Sequence, residues 1–494
     1  MMKYVSTRGE KKELTGAQAI IQGMAPDKGL YVPKYIPQLP FEISDMKFKG
    51  YKEVAKKIIG TFFDDYTADE IEFCVESAYD EKFDTEDIVP VKEAGGAYFL
   101  ELYHGKTAAF KDMALSILPY LLTTAMKKEN EDKKVCILTA TSGDTGKAAL
   151  EGFADVDGTE IVVFYPNSGV SKVQERQMVT QRGKNTHVFA VKGNFDDAQT
   201  GVKKIFNDRA MADELAKDGF RLSSANSINI GRLIPQVAYY VYGYVKLLEK
   251  NRIVEGDRIN VVVPTGNFGN ILAAFYAKKM GLPIDKLICA SNRNKVLTDF
   301  FLSGEYDVHR DFYLTNSPSM DILISSNLER LLYHVHECDS QVVKSLMASL
   351  DSAGRYRIND TVREALADFR VGFADIGQTN ETIGKMYAKN SYLIDTHTAV
   401  AYKVHEDYIK TSGDDKPTLI ASTASPYKFA ESVAESIGLG KEDDDFKYIV
   451  AINKATHVPV PAGLKDLTEK KILHKGLIEI AEMKETVSGS VRMS

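Results

Sequence analysis

Short apolar runs recur along most of this chain, and each is followed by a stretch with helical spacing. Residues 97–103 alternate like a strand and lead, through a polar turn, to the apolar run 113–118, which reads as the start of a buried helix. Residues 134–140 form a short apolar strand, 141–146 a turn, and 147–153 a helix. Residues 160–165 and 187–191 read as further strands, 233–250 as a long helix, and 259–264 as a buried strand followed by a helix over 271–279. Residues 419–426 repeat the pattern of a strand running into a turn before a helix. Strands alternating with helices predict an α/β fold whose parallel-rich sheets are covered on both faces, with ligands at the carboxyl ends of the strands.

The first 95 residues differ. They carry amphipathic helical stretches at 50–63 and 68–81, and Pro33, Pro37 and Pro40 imply extended, turn-rich chain before them. The pattern predicts an N-terminal accessory domain over 1–95, a small α/β domain over 96–235 and a large α/β domain over 236–494. An amphipathic stretch at 464–484 is expected to pack on the body of the protein.

Composition narrows the function classes. With 494 residues, 44% hydrophobic and 27% charged, the chain is an ordinary globular protein of two or three domains. A net charge of −7 gives no footing for a nucleic-acid binder or for general attraction to anionic membranes. An anionic substrate must therefore be held locally, against the overall charge. Residues 1–8 contain no apolar signal-peptide core, and no apolar run approaches membrane-spanning length. Cys74, Cys136, Cys289 and Cys338 are scattered, which points to a reducing, cytoplasmic location. The run Tyr333-His334-Val335-His336-Glu337-Cys338 fits no zinc spacing, so no metal is expected.

Four stretches carry candidate chemistry. Lys111 lies at the mouth of the predicted buried helix, where the helix dipole and partial burial disfavour its charged form. A neutral lysine amine forms Schiff bases and carries protons. Thr141-Ser142-Gly143-Asp144-Thr145-Gly146 presents hydroxyls and backbone N–H groups to an anion. It is not an ATP-binding loop: Ala148 stands where magnesium needs Ser or Thr, and Thr141 where the loop needs glycine. Pro264-Thr265-Gly266-Asn267-Phe268-Gly269-Asn270 lies between a strand and a helix, as a phosphate cradle would, but lacks the third glycine of a dinucleotide fingerprint. In the last stretch, Thr423 offers a neutral hydroxyl at a strand end.

Together these stretches resemble the fold type II (tryptophan synthase β-like) pyridoxal-phosphate enzymes. The runs His104-Gly105-x-Thr107-x-Ala109-Phe110-Lys111-Asp112, Asn226-Ser227-Ile228-Asn229-Ile230-x-Arg232, Asp395-Thr396-His397-Thr398 and Thr423-Ala424-x-Pro426-x-Lys428-Phe429 are similar to the threonine synthase family, in its longer bacterial and fungal form. The early run Gln22-Gly23…Lys28-Gly29-Leu30-Tyr31-x-Pro33 resembles that form's N-terminus. The resemblance implies that Lys111 holds pyridoxal 5'-phosphate. It also implies that Gly266, Asn267, Phe268, Gly269 and Asn270 hold the cofactor phosphate and that Thr423 faces the pyridine nitrogen. Ser142, Asp144, Thr145, Asn226, Ser227 and Arg232 would surround the substrate, O-phospho-L-homoserine, which would become L-threonine and phosphate. Some relatives place a second lysine two residues after the first; that position is Met113 here, so part of the phosphate site must be built differently, with Lys106 or His104 as candidates. A monomer or homodimer is expected. A phosphoserine-dependent lyase, a threonine dehydratase and a non-catalytic ligand-binding paralogue are the rival readings.

Overall fold

The computed structural model describes residues 1–492 except Ser142 and Gly169. Near the N-terminus β1 (Tyr4–Ser6) pairs antiparallel with β2 (Tyr31–Pro33). The remaining strands are β3 (Val91–Ala94), β4 (Ala97–Glu101), β5 (Lys134–Ala140), β6 (Thr159–Pro166), β7 (Thr186–Val191), β8 (Phe220–Ser223), β9 (Ile259–Pro264), β10 (Ile284–Ser291), β11 (Glu305–Asp307), β12 (Arg355–Arg357), β13 (Phe369–Phe373), β14 (Thr418–Ser422) and β15 (Gly476–Ile478). Two sheets dominate. One has six strands in the order β13-β10-β9-β14-β4-β3, parallel except for the β3–β4 hairpin. The other has five parallel strands in the order β15-β7-β6-β5-β8.

The central strands are buried along their whole length, as expected for parallel strands covered on both faces. The helix Pro235–Glu249 packs against the six-stranded sheet with Tyr239, Tyr240, Tyr242 and Tyr244 buried. Its approach is close: a Cβ at Gly243 would stand 2.8 Å from Leu419 and 3.1 Å from Leu100. Proline in its first turn needs no N–H partner, so Pro235 starts this helix just after the short helix Ile230–Leu233.

Sheet membership departs from the expected three-block division at two places. β4, which leads to Lys111, belongs to the same sheet as β9 and β14, with Leu419 opposite both Tyr98 and Val261. β15 joins the other sheet, pairing Gly476 with Phe189 of β7. The predicted amphipathic stretch 464–484 is also not one helix. Leu464 and Leu467 are buried in turns, β15 follows, and the helix Met483–Arg492 begins only afterwards. Apolar residues there are spaced for helix, but pairing with an open sheet edge satisfies the backbone groups instead. Among the described residues, no helix is long and apolar enough to cross a membrane.

The register of β4, β14 and β9 sets the site. Ser422 lies opposite Glu101, and the carboxyl ends of all three strands share one edge. The loops that follow carry Lys111, Thr423 and the run Gly266–Asn270.

Candidate active site

Lys111 is fixed from both sides. Thr107 donates its backbone N–H to Asp112 Oδ2 (2.8 Å) and its hydroxyl to Asp112 Oδ1 (2.7 Å), closing the turn before the lysine. Burial pushes the Asp112 carboxyl up to about 6, against these donors. The next strand then clamps the turn: Phe110 N–H donates to the Thr423 carbonyl (2.8 Å) and Ser425 N–H to that of Ala108 (3.0 Å). Lys111 Nζ donates to Ser319 Oγ (3.3 Å) and lies 3.7 Å from Asp144 Oδ2. Burial lowers the proton affinity of its amine. Asp144 opposes that shift, and Arg232 and Lys428 reinforce it.

Asp144 opens the helix Asp144–Phe153. The preceding turn is held by Thr141, whose hydroxyl accepts the N–H groups of Gly143 and Gly146, each at 2.9 Å. Asp144 Oδ1 accepts from Lys428 Nζ (2.8 Å) and Gln174 Nε2 (2.9 Å). Burial works against its charge, but Lys428 and Lys111 outweigh it and hold the carboxyl well below the usual range. Thr145 beside it is half-buried, and Ser142 lies outside the described residues.

The glycine-containing loop turns through Phe268, whose left-handed φ of 66° is stabilised by packing its ring against Phe301 and Phe369. Ser325 Oγ donates to the Gly266 carbonyl (2.7 Å), and Asn327 donates to that of Asn267 from its backbone (3.1 Å) and side chain (3.0 Å). Gly266 is sterically required, since a Cβ there would lie 2.4 Å from the Ser319 carbonyl. Gly269 and Asn270 begin the helix Gly269–Lys279, whose first N–H groups have no intrahelical acceptor. The Asn270 side chain is buried. Its Oδ1 accepts from Tyr240 and from Tyr239 (2.7 Å), whereas its Nδ2 has no partner.

Arg232 is buried (4% exposed), donates Nη1 to the Ala225 carbonyl (2.7 Å), and has a buried, unpartnered Nε. Burial alone pushes its guanidinium down to about 10, so it stays charged at neutral pH. Ser227 Oγ accepts from Asn327 Nδ2 (3.3 Å), which ties this run to the glycine loop, and Asn226 is exposed. Thr423 is buried at the clamp beside Lys111.

Several neighbours of the site were not among the sequence candidates. Ser319 lies in the short 3-10 turn Pro318–Met320 and Asn327 just before the helix Leu328–Val335, where no local pattern marks them. His397 and Lys428 were visible only as members of longer motifs. His397 accepts the Ser319 N–H on Nε2 (3.1 Å) and donates from Nδ1 to Asp395 Oδ2 (2.8 Å), so it fixes the segment that faces Lys111. The two residues expected to stand in for the missing second lysine sit in different surroundings. Met113 is fully buried, and Lys106 is exposed. His104 lies between Asp84 (2.6 Å) and Glu101 (3.0 Å), which overcome its burial and push it up to about 9.

Two parallel-rich sheets with a half-buried lysine in a strand-end loop match the α/β architecture of the fold type II pyridoxal-phosphate enzymes. A solved structure of pyridoxal-phosphate-bound threonine synthase from Brucella melitensis matches the whole chain over its own whole length, with a TM-score of 0.89 and 36% identity. Residues 3–79 match the family model "Threonine synthase N terminus" and residues 398–487 match "Threonine synthase, C-terminal". Threonine synthase of Pseudomonas aeruginosa is 37% identical over 474 residues, 95% of this chain and 94% of its own length. The chain belongs to the threonine synthase family, in its longer form. It is also 40% identical over 436 residues to human threonine synthase-like 1, a match covering 85% of this chain but only 58% of that protein's length.

Proposed function

We propose that this chain is a pyridoxal-phosphate-dependent threonine synthase, converting O-phospho-L-homoserine and water to L-threonine and phosphate. The observation that carries the reading is Arg232, a buried guanidinium with an unpartnered Nε whose charge bears on Lys111. Such a group calls for an anion, and a planar donor fork suits a phosphate.

The residues fit the cofactor. Asn270 Nδ2 is a buried donor without an acceptor at the start of a helix, and Gly266 leaves room where any side chain would collide. Gly266, Asn267, Phe268, Gly269 and Asn270 would hold the cofactor phosphate, Thr423 would face the ring nitrogen, and Lys111 would carry the cofactor's aldehyde carbon. Pyridoxal phosphate, when bound, supplies an electron sink for charge developing on the substrate carbons.

The chain's own groups do the rest. Lys111, whose amine has a lowered proton affinity, would take the α proton as a base. The same amine moves a β proton as phosphate leaves the γ carbon, and Arg232 balances the charge of the leaving phosphate. Water then adds its oxygen at the β carbon. Asn226, Ser227, Thr145 and Ser142 would complete the substrate pocket, with Asp144 holding charge beside Lys111. A neutral hydroxyl at Thr423 would face the ring nitrogen without giving it a proton, which would restrain side reactions.

The likeness to threonine synthase-like 1 gives weight to a second reading, a related lyase acting on another phosphorylated amino acid or a non-catalytic paralogue. The test is to supply purified protein and pyridoxal phosphate with O-phospho-L-homoserine or O-phospho-L-serine. Phosphate release and the amino-acid product are then followed. Phosphate and threonine in equal amounts from the homoserine ester alone, abolished by Lys111→Ala, is the expected result. Release from phosphoserine alone, or from neither ester, removes the assignment.

A further inference from the structure

The pair that faces Lys111 contains a residue with no role in the reading above. The Lys428 side chain is fully buried (0% exposed), and its Nζ is held by Asp144 Oδ1 (2.8 Å) and Gln177 Oε1 (3.0 Å). Gln174 Nε2 donates to the same Oδ1 (2.9 Å), while Asp144 Oδ2 is the oxygen nearest Lys111, at 3.7 Å. One buried carboxylate is thus shared by two lysines. The two glutamines stand three residues apart on one face of the helix Lys172–Val179. That helix is in turn anchored by Arg176, which donates to the carbonyls of Leu467 (2.9 Å), Thr468 (2.8 Å) and Lys470 (2.8 Å).

A lone carboxylate beside a reactive amine would favour the ammonium form, which is neither nucleophile nor base. We propose that Lys428 is a positioning residue for Lys111: it neutralises Asp144 and keeps Oδ1 engaged, so that Oδ2 offers Lys111 a hydrogen-bond acceptor without a net negative neighbour. The inference rests on the reading of Lys111 as the reactive lysine. The charged groups facing Lys111 are Asp144 from the helix Asp144–Phe153, Arg232 from the short helix Ile230–Leu233 and Lys428 from the turn Pro426–Phe429. Asp144 favours the ammonium and the other two oppose it. Removing Lys428 leaves Asp144 opposed by Arg232 alone, and Lys111 then binds its proton more tightly.

The test measures Lys111 directly. Full-length protein, stripped of bound aldehyde with hydroxylamine, is pulsed with acetic anhydride across a pH series. Labelling of the Lys111 peptide is read by mass spectrometry. Lys428→Met is expected to raise the labelling midpoint by about one unit, making labelling about tenfold slower below it. Asp144→Asn is expected to lower the midpoint. The double variant, which removes both members of the pair, is expected to stay within about half a unit of the parent. An unchanged midpoint in Lys428→Met overturns the proposal. Where that variant fails to fold by circular dichroism, the double variant decides: a midpoint near the parent's supports the proposal, and one displaced by a unit or more overturns it. Borohydride reduction of the protein loaded with pyridoxal phosphate separates the two readings. Cofactor trapped on another lysine removes the role given to Lys111 but leaves the midpoints to judge the pair.

Discussion

Arg232→Met separates function from stability. In the structure Arg232 is buried, its Nη1 reaches one carbonyl and its Nε reaches nothing. A buried charge without a counter-ion costs stability; even paired buried charges, when replaced together by apolar side chains of similar volume, often leave stability unchanged or raise it by about 1–4 kcal/mol. The variant is therefore expected to melt a few degrees higher than the parent, by roughly 2–4 °C per kcal/mol or somewhat less for a chain of this size. The same change removes the cation proposed to meet the substrate phosphate. Losing a charge-assisted contact of about 2–4 kcal/mol lowers kcat/KM about 30- to 1000-fold. Inorganic phosphate provides the control. At about 100 times its dissociation constant it would stabilise the parent by about 2.7 kcal/mol and leave the variant nearly unmoved. The assay is a scanning-fluorimetry melt with and without phosphate, beside phosphate release from O-phospho-L-homoserine. A variant that melts lower, or that keeps both its turnover and its phosphate-induced shift, refutes the reasoning.

Other perturbations address the remaining parts. Gly266→Ala places a methyl against the Ser319 carbonyl, so pyridoxal-phosphate affinity should fall at least about tenfold with the fold retained, as read by fluorescence titration. Lys111→Ala should lower turnover by at least about 100-fold while leaving the melt little changed, and retained steady-state phosphate release would end its assignment. His104 gives a pH signature. Its pKa is raised from the usual 6.5 to about 9, so its contribution of about 2–3 kcal/mol is complete below pH 6.5 and is lost as pH rises through 9. The parent should lose melting temperature between pH 7 and 10 more steeply than His104→Gln, and parallel curves would exclude the Asp84–His104–Glu101 triad as the cause.

Much of the architecture was legible because it is local. Apolar runs at β5, β6, β9 and β14 and the helices after them follow from spacing alone. The turn at Thr141 and the glycine loop follow from residues that punctuate a strand end. Helix boundaries shifted by a few residues. Asp144 opens its helix three residues earlier than its apolar spacing suggests, and the apolar run after Lys111 divides into Asp112–Leu115 and Leu118–Lys128, with Pro119 in the first turn of the second.

What the sequence determined by itself was a set of strand-end loops carrying a lysine, a hydroxyl-rich turn, a glycine loop and an arginine. Only the tertiary structure decided which of them meet. Leu419 pairs with Tyr98 across more than 300 residues, and that pairing brings the Thr423 carbonyl to Phe110 beside Lys111. The same pairing puts β4 into the sheet of β9, and a separate pairing with β7 puts β15 into the other sheet, neither of which the chain order indicates. Ser319, Asn327 and Lys428 owe their places to the same long-range closure. A local pattern records how a segment buries its own face, whereas strand order and shared carboxylates depend on which distant surfaces satisfy one another's backbone groups and charges.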